Sequence, residues 1–531
     1  MPKITIPYQK TGYFSGMIND YLSENEKLKD FYNRFPKLSE FKNQIAEKEK
    51  TFSQSSRDIL VERLKLQYNN IELSEASKKN IESLKNKNTF TITTGHQLNL
   101  FTGPLYFHYK IFSVINLSEK LNTENPENHF VPVYWMATED HDFDEINYFN
   151  LFGKKIHWNR EDGGAVGELS TEGLEAISEI FNLEIGNSEN AKYLKSLFAE
   201  AYKNHQTLTD ATRYLADQLF RDYGLVILDG NDKELKKTFI PFVEKELTEK
   251  LSFKKVSDTT EKLMDLGYSE QVHPREINLF YLKEGVRERI IEQDEKFYVN
   301  DTKIVFTKDE IFAELNAYPE RFSPNALLRP LFQEVVLPNL CYVGGGGELA
   351  YWFQLKGYFE AVDVPFPILL LRNSVLIVPE KLSEKLKKLD LKIDSLFKKQ
   401  SDLKTDYTKQ ISEIDIDFTK QKQLLKDQFK ELYKIAEKTD ASFIGAVGAQ
   451  EKKQKNGLDN LEKRLLKAQK RKLNDAIERL LEIQDVLFPN QSLQERNMNF
   501  SEFYLQYGEK LFTGLKENLD PLENKFTILE V

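Results

Sequence analysis

The string ATEDHDFDEI, residues 137–146, sets five carboxylates around one histidine: Glu139, Asp140, Asp142, Asp144 and Glu145 beside His141. Directly upstream, FVPVYWM (130–136) reads as a buried strand. Carboxylates this close repel one another unless water, a basic side chain, a cation or an ammonium group neutralises them. At a strand end, Glu139, Asp140 and Asp142 are therefore candidates to hold a substrate amine. His141 is the candidate to accept a proton, because histidine titrates closest to neutral pH. The same string in open solvent is an ordinary acidic loop.

Two further strings have the same placement. TTGHQLNLFTGPLY (93–106) puts Gly95, His96, Gln97, Asn99, Thr102 and Gly103 where a strand ends and a helix begins. Open α/β sheets bind ligands there. The glycines permit tight turns, and His96 with its neighbours is expected to hold a phosphate or carboxylate. The pattern is neither a Walker loop nor GxGxxG. SPNALLRPLFQEVVLPNLCYVGGGGELAYW (323–352) carries Gly344, Gly345, Gly346 and Gly347 between a strand and a helix. That bare main chain is a candidate nucleotide surface. Glu348 is placed to meet an amine, and Arg329 to pair with a carboxylate or phosphate or, structurally, with Glu334. Tyr351 stands in the same string as a substrate-binding candidate.

Weaker candidates complete the set. His273 and Arg275 in QVHPREINLFYL (271–282) read equally as structural or functional. Cys341 lies between Leu340 and Tyr342, which suits an inert buried thiol. Asp229 ends an apolar run and suits a turn cap. His96 and His141 lack a close metal-ligand spacing, so no metal is predicted.

Five apolar runs supply the strands that position these loops: 89–94, 130–136, 225–229, 340–344 and 367–372. A helical pattern over 104–121 opens at Pro104. Strand, loop, helix, strand predicts a doubly wound α/β core over 1–378, with insertions over about 160–330. From 379 the pattern changes to a three- and four-residue apolar stripe running from Leu382 through Leu403 and Phe429 to Leu432, broken at Gln400. A second stripe runs from Leu458 to Leu487. The spacing predicts a long antiparallel coiled coil over 379–488, with ASFIGAVGA (441–449) as its bend and a first helix of roughly 90 Å. The tail, 489–531, is expected to pack on the core.

At 531 residues the chain is too long for one ordinary core, and 40% hydrophobic residues suit a globular protein. A net charge of −10 gives no basic footprint for nucleic acid. One cysteine excludes an internal disulfide framework, and the N-terminus lacks the layout of a signal peptide. No apolar run reaches membrane-spanning length. The expectation is a soluble, cytoplasmic protein without membrane or nucleic-acid partners.

Taken in order, TTGHQLNLFTGPLYFHYK, WMATEDHDFDEI, HPREINLFYL and the 323–352 string resemble the cysteine ligase family of bacillithiol biosynthesis, BshC. The resemblance runs from the N-terminus to the tail. It implies a Rossmann-like core related to class I aminoacyl-tRNA synthetases, with connecting-peptide insertions, and a coiled coil that makes a homodimer. It implies addition of cysteine to glucosaminyl-malate, the last step to bacillithiol, and an association with nucleotide (ATP or ADP). The chain lacks the paired histidines and the KMSKS-type lysine signature of those synthetases. Two other readings compete with a ligase: a coiled-coil scaffold that keeps a nucleotide pocket without turnover, and a nucleotidyl transferase on the same fold.

Overall fold

The computed structural model describes residues 1–161 and 163–531. They divide into two compact units, Met1–Ile377 with Gln494–Leu529, and Val378–Leu493 with Glu530–Val531.

The first unit is organised by a five-stranded sheet: β1 (Thr89–His96), β2 (His129–Met136), β3 (Val226–Asp229), β4 (Asn339–Gly344) and β5 (Ile368–Leu371). Every pairing is parallel, in the order β5-β4-β1-β2-β3. All eight residues of β1 are buried, as are all six of β4. That is why these strands read as continuous apolar or β-branched runs rather than as alternation. The chain winds outward from β1 to β2 and β3, then returns to lay β4 on the other side of β1. The order reverses between β1 and β4, so a crevice opens at their carboxyl ends.

Helix α1 (Tyr106–Glu124) follows β1, and α2 (Gly346–Ala361) follows β4. The link from β1 to α1 is strained. Phe101 and Thr102 have φ of 47° and 66°, and Gly103 has φ of 63°. A Cβ on Gly103 would lie 2.5 Å from that of Asn99, so only glycine fits. Asn499 of the tail is fully buried and clamps this turn, donating from Nδ2 to the carbonyls of Phe101 (2.8 Å) and Gly103 (2.6 Å). The segment 160–330 adds helices and a second, antiparallel sheet. Its strands, in spatial order, are Val305–Phe306, Lys296–Val299, Val286–Gln293, Leu279–Lys283 and Phe322–Pro324. Near the termini, Lys3–Pro7 pairs antiparallel with Lys525–Glu530.

The second unit is helical, and it corrects the sequence reading in two places. The expected first helix is interrupted: Glu380–Lys388 and Gln400–Ile411 are separate helices, and α3 (Thr419–Ala436) starts afresh. Side chains compete with the helical backbone at the second break. Ser412 accepts from the Ile414 amide and Asp417 from the Thr419 amide, at 3.3 and 2.7 Å. The bend also lies earlier than expected. It falls just before Asp440, which caps α4 (Ala441–Lys472) by accepting from the Phe443 amide at 3.0 Å. ASFIGAVGA is the first stretch of α4. A Cβ on its Gly448 would stand 3.1 Å from the Tyr433 hydroxyl, so the glycine serves close approach of α3 and α4. Helix α5 (Asn474–Leu487) completes the return. Among the described residues, no helix is long and apolar enough to cross a membrane.

Candidate functional site

A cavity of about 370 Å³ lies at the β1/β4 switch point. Gly95, His96 and Gln97 line it from the end of β1, Tyr342 from β4, and Glu139 and Asp140 from the loop after β2. Tyr106 and Lys110 of α1, Glu348 and Tyr351 of α2, and Arg329 complete the inner wall. Arg287 of the antiparallel sheet closes the opposite side.

Three of its acids are already matched by protein groups. Glu348 accepts from Lys110 Nζ at 2.6 Å, from the Tyr342 hydroxyl at 2.7 Å and from the Gly345 amide at 3.0 Å. Burial alone would push its carboxyl up, but the Lys110 ammonium and these donors hold it below the usual carboxylate range. Lys110 also donates to the Gly95 carbonyl at 2.7 Å, and burial lowers its own pKa against the pull of Glu348. Lys236, buried behind the wall, donates to Glu139 and to the Phe322 carbonyl. Asp140 accepts from Gln97 Nε2 at 2.8 Å and from the His141 amide at 2.8 Å. Burial opposes ionisation of Asp140, yet His141, Gln97 and Arg287 outweigh it and keep the carboxyl well below its ordinary range. Thus Glu139 and Glu348, expected to meet a substrate amine, each meet a lysine of the chain instead.

Arg329 is the exception. Its guanidinium donates to Gln333 Oε1 at 3.1 Å and to the Tyr351 hydroxyl at 3.4 Å, both neutral partners. It does not pair with Glu334, which is buried against Lys48 and Asn339. Among the described residues, Arg329 has no carboxylate partner within ion-pair distance.

The other expected residues fall as follows. His96 is buried in the lining with Nε2 unpartnered; burial, with Lys110 and His108 nearby, drives its pKa well below that of a free imidazole. The lowered pKa favours the neutral ring, which meets a phosphate or carboxylate oxygen by a hydrogen bond rather than by charge. His141 and Asp142 lie outside the lining and are exposed. Arg287 donates to His141 Nδ1 at 2.6 Å, which occupies the lone pair that a base would use and leaves the proton on Nε2. Asn99, Gly103 and Glu145 line a neighbouring cavity.

Gly344 to Gly347 also stay out of the lining. The Gly345 amide is taken by Glu348, and Gly346 packs under Phe14 and Ile18, so the run is no open phosphate cradle. Of the four glycines, Gly347 alone has open space beside its Cα, so only it is free for close approach of a ligand. His273 pairs with Glu270 in solvent, and Asp229 accepts from the Thr138 hydroxyl.

Sequence reasoning missed Lys110, Tyr342, Tyr106 and Arg287. A lone lysine inside the apolar run YFHYKIF was the available signal for Lys110. Arg287 offered none, because the antiparallel sheet brings it from a distant part of the chain.

A charged crevice at the switch point of an open parallel sheet defines a Rossmann-like, ligand-binding protein. Residues 1–373 match the model for the bacillithiol biosynthesis BshC N-terminal Rossmann-like domain, and 375–531 match the model for the BshC C-terminal coiled-coil domain. The chain belongs to the BshC family. It is 57% identical to a protein of Christiangramia forsetii over 100% of this chain and 99% of that one. It is 56% identical to one of Flavobacterium johnsoniae over 100% of each, and 29% identical to one of Bacillus cereus over 100% and 99%. All three carry the name "Putative cysteine ligase BshC". A solved structure titled as an arginyl-tRNA synthetase of Campylobacter jejuni aligns with 83% of this chain and 94% of its own at 9% identity and a TM-score of 0.21, too loose to bear on the fold.

Proposed function

We propose that the chain is a ligase that joins the carboxyl group of cysteine to the amine of glucosaminyl-malate, the last step to bacillithiol. Family membership and the names of the relatives support the reaction class. The observation that carries the acceptor is Arg329, a fork of donors facing the cavity without a carboxylate of its own. A malate carboxylate supplies the missing partner, bidentate on the guanidinium. Asp140, held ionised, favours the charged form of an amine and so serves binding rather than deprotonation. His96 acts as a neutral hydrogen-bonding group through Nε2 toward a substrate oxygen. His141 braces Arg287 against the wall; acting as a base would require Arg287 to release Nδ1. The Lys110–Glu348–Tyr342 network fixes the ends of β1 and α2 relative to each other.

The helical unit is read as the dimerisation element. Leu424, Ile435 and Leu461 are exposed on it, and a second copy would cover them.

The test is incubation of the purified protein with cysteine, glucosaminyl-malate and ATP, with products read by mass spectrometry. The expected result is the cysteinyl conjugate. Pyrophosphate release without consumption of cysteine would replace this reading with a nucleotidyl transferase.

A further inference from the structure

The loop after β1 borders two cavities. The second, about 310 Å³, adjoins the first through Gln97 and Tyr106, which line both. It holds one acid and one base of its own, Glu145 and Arg496. Glu145 lines the cavity and accepts from Gln97 through Oε2 at 2.8 Å. Arg496, on the segment after Gln494, is exposed and makes no ion pair among the described residues. Asn99 adds a third group. Its side chain is 8% exposed, its Nδ2 donates to the Glu145 carbonyl at 3.0 Å, and its Oδ1 has no partner. A buried acceptor left unpaired is costly unless a ligand or water completes it. Phe149 and Met498 give the cavity an apolar side.

We propose that the second cavity is a subsite for a free α-amino acid zwitterion, with its ammonium on Glu145 and Asn99 Oδ1 and its carboxylate on Arg496. One positive and one negative group in a small cavity match a zwitterion and mismatch a dianion or a nucleotide. The apolar wall of Phe149 and the Met498 thioether suits a short sulfur-bearing side chain. The hydroxyl of Tyr106 responds to burial and to Glu348, Arg372, Arg496 and Glu145, so this ring stands in the field of both cavities. An amino acid held here presents its carboxyl end beside Tyr106, toward an acceptor bound at Arg329. The identity of the amino acid as cysteine rests on the ligase reading; the zwitterion subsite rests on the cavity itself.

The experiment is calorimetric titration of the full chain under a phosphine reductant, with the acceptor conjugate present and absent. Three ligands are compared: L-cysteine, mercaptopropionate, which lacks the amine, and cysteamine, which lacks the carboxylate. Glu145→Gln keeps the bond to Gln97, and Arg496→Gln changes an exposed side chain, so both variants fold. Glu145→Gln is expected to weaken L-cysteine at least roughly tenfold and leave mercaptopropionate unchanged. Arg496→Gln is expected to weaken L-cysteine similarly and leave cysteamine unchanged. Wild-type affinity for L-cysteine in both variants overturns the subsite, as does failure of the wild type to bind L-cysteine in either condition. If L-cysteine binds as expected and no conjugate forms, the ligase reading falls and the subsite stands. If conjugate forms while both variants keep the wild-type KM for cysteine, the subsite falls and the ligase stands.

Discussion

Strand β1 and the α3–α4 hairpin are organised in opposite ways. All eight residues of β1 are buried, with a parallel neighbour on each side. The hairpin is held by a cluster of Phe429, Ala436 and Val447, and Val447 is the one buried residue among the 32 of α4. A strand fixed on every side can carry a strained turn at its end and aim side chains within tenths of an ångström. A hairpin with so small an interior cannot, but it offers long surfaces to another chain. On the proposed reading, chemistry and association fall to different kinds of scaffold.

The largest expected effect tests the rigid side. Lys110→Met leaves Glu348 without its counter-charge in the wall of the crevice. The cost is about 3 kcal/mol, at the low end for a broken buried pair, because the Glu348 side chain is still 28% exposed. Chemical denaturation measures it. A Lys110→Met, Glu348→Met double variant should recover much of the loss; equal instability would show that the methionine itself does not fit.

Next comes the chemistry on that scaffold. Arg329→Gln should lower kcat/KM for the amino-sugar acceptor roughly a hundredfold while leaving the melting temperature near wild type. Arg329→Lys, which keeps the charge without the fork, should recover only part of it. Full activity in Arg329→Gln would remove the acceptor carboxylate from this wall.

A smaller effect concerns pH. His108 of α1 is buried with both ring nitrogens unpartnered, and burial lowers its pKa to about 3. Between that value and roughly 6.5, the unfolded chain binds a proton that the folded chain refuses. Stability therefore falls as pH falls through this window, by up to about 1.4 kcal/mol per pH unit. Asp217 and Glu502, raised by burial to about 6 and about 7, act with the opposite sign. They cancel when His108→Leu is compared with wild type at each pH. The difference between the two proteins should shift in favour of the variant on acidification; a constant difference would mean that His108 gains a proton without unfolding.

The smallest effect on stability belongs to the hairpin. Leu424→Ser, Ile435→Ser and Leu461→Ser should each change folding by less than about 0.5 kcal/mol. Together they should turn a dimer into a monomer by sedimentation at micromolar concentration. A triple variant that stays dimeric would move association elsewhere.

The strands and their loops were legible because buried parallel strands leave continuous apolar runs, and the loops that end them hold glycines and charges. The reading converged on one crevice for Gly95, His96, Gln97, Glu139, Asp140, Arg329, Glu348 and Tyr351. Pairings were not legible. Nothing near ATEDHDFDEI says that Lys236 will neutralise Glu139 or that Arg287 will occupy His141, since both partners come from folded-back segments. In the helical unit the apolar period was visible, but the interruptions were not. A stripe reports which face is buried, whereas Ser412 and Asp417 end helices through local bonds that leave the stripe intact.

The clamp on the turn after β1 has a consequence for biosynthesis. Asn499 pins the carbonyls of Phe101 and Gly103, and the Leu105 amide donates to the Met498 carbonyl at 2.8 Å. On the ribosome, β1 and its loop emerge hundreds of residues before this clamp is made. The nascent chain therefore carries the loop's sequence long before it carries the loop's shape. Quality control gains a simple criterion from this: a polypeptide cut short between Tyr351 and Met498 has every residue that lines the first cavity and lacks the clamp on its turn.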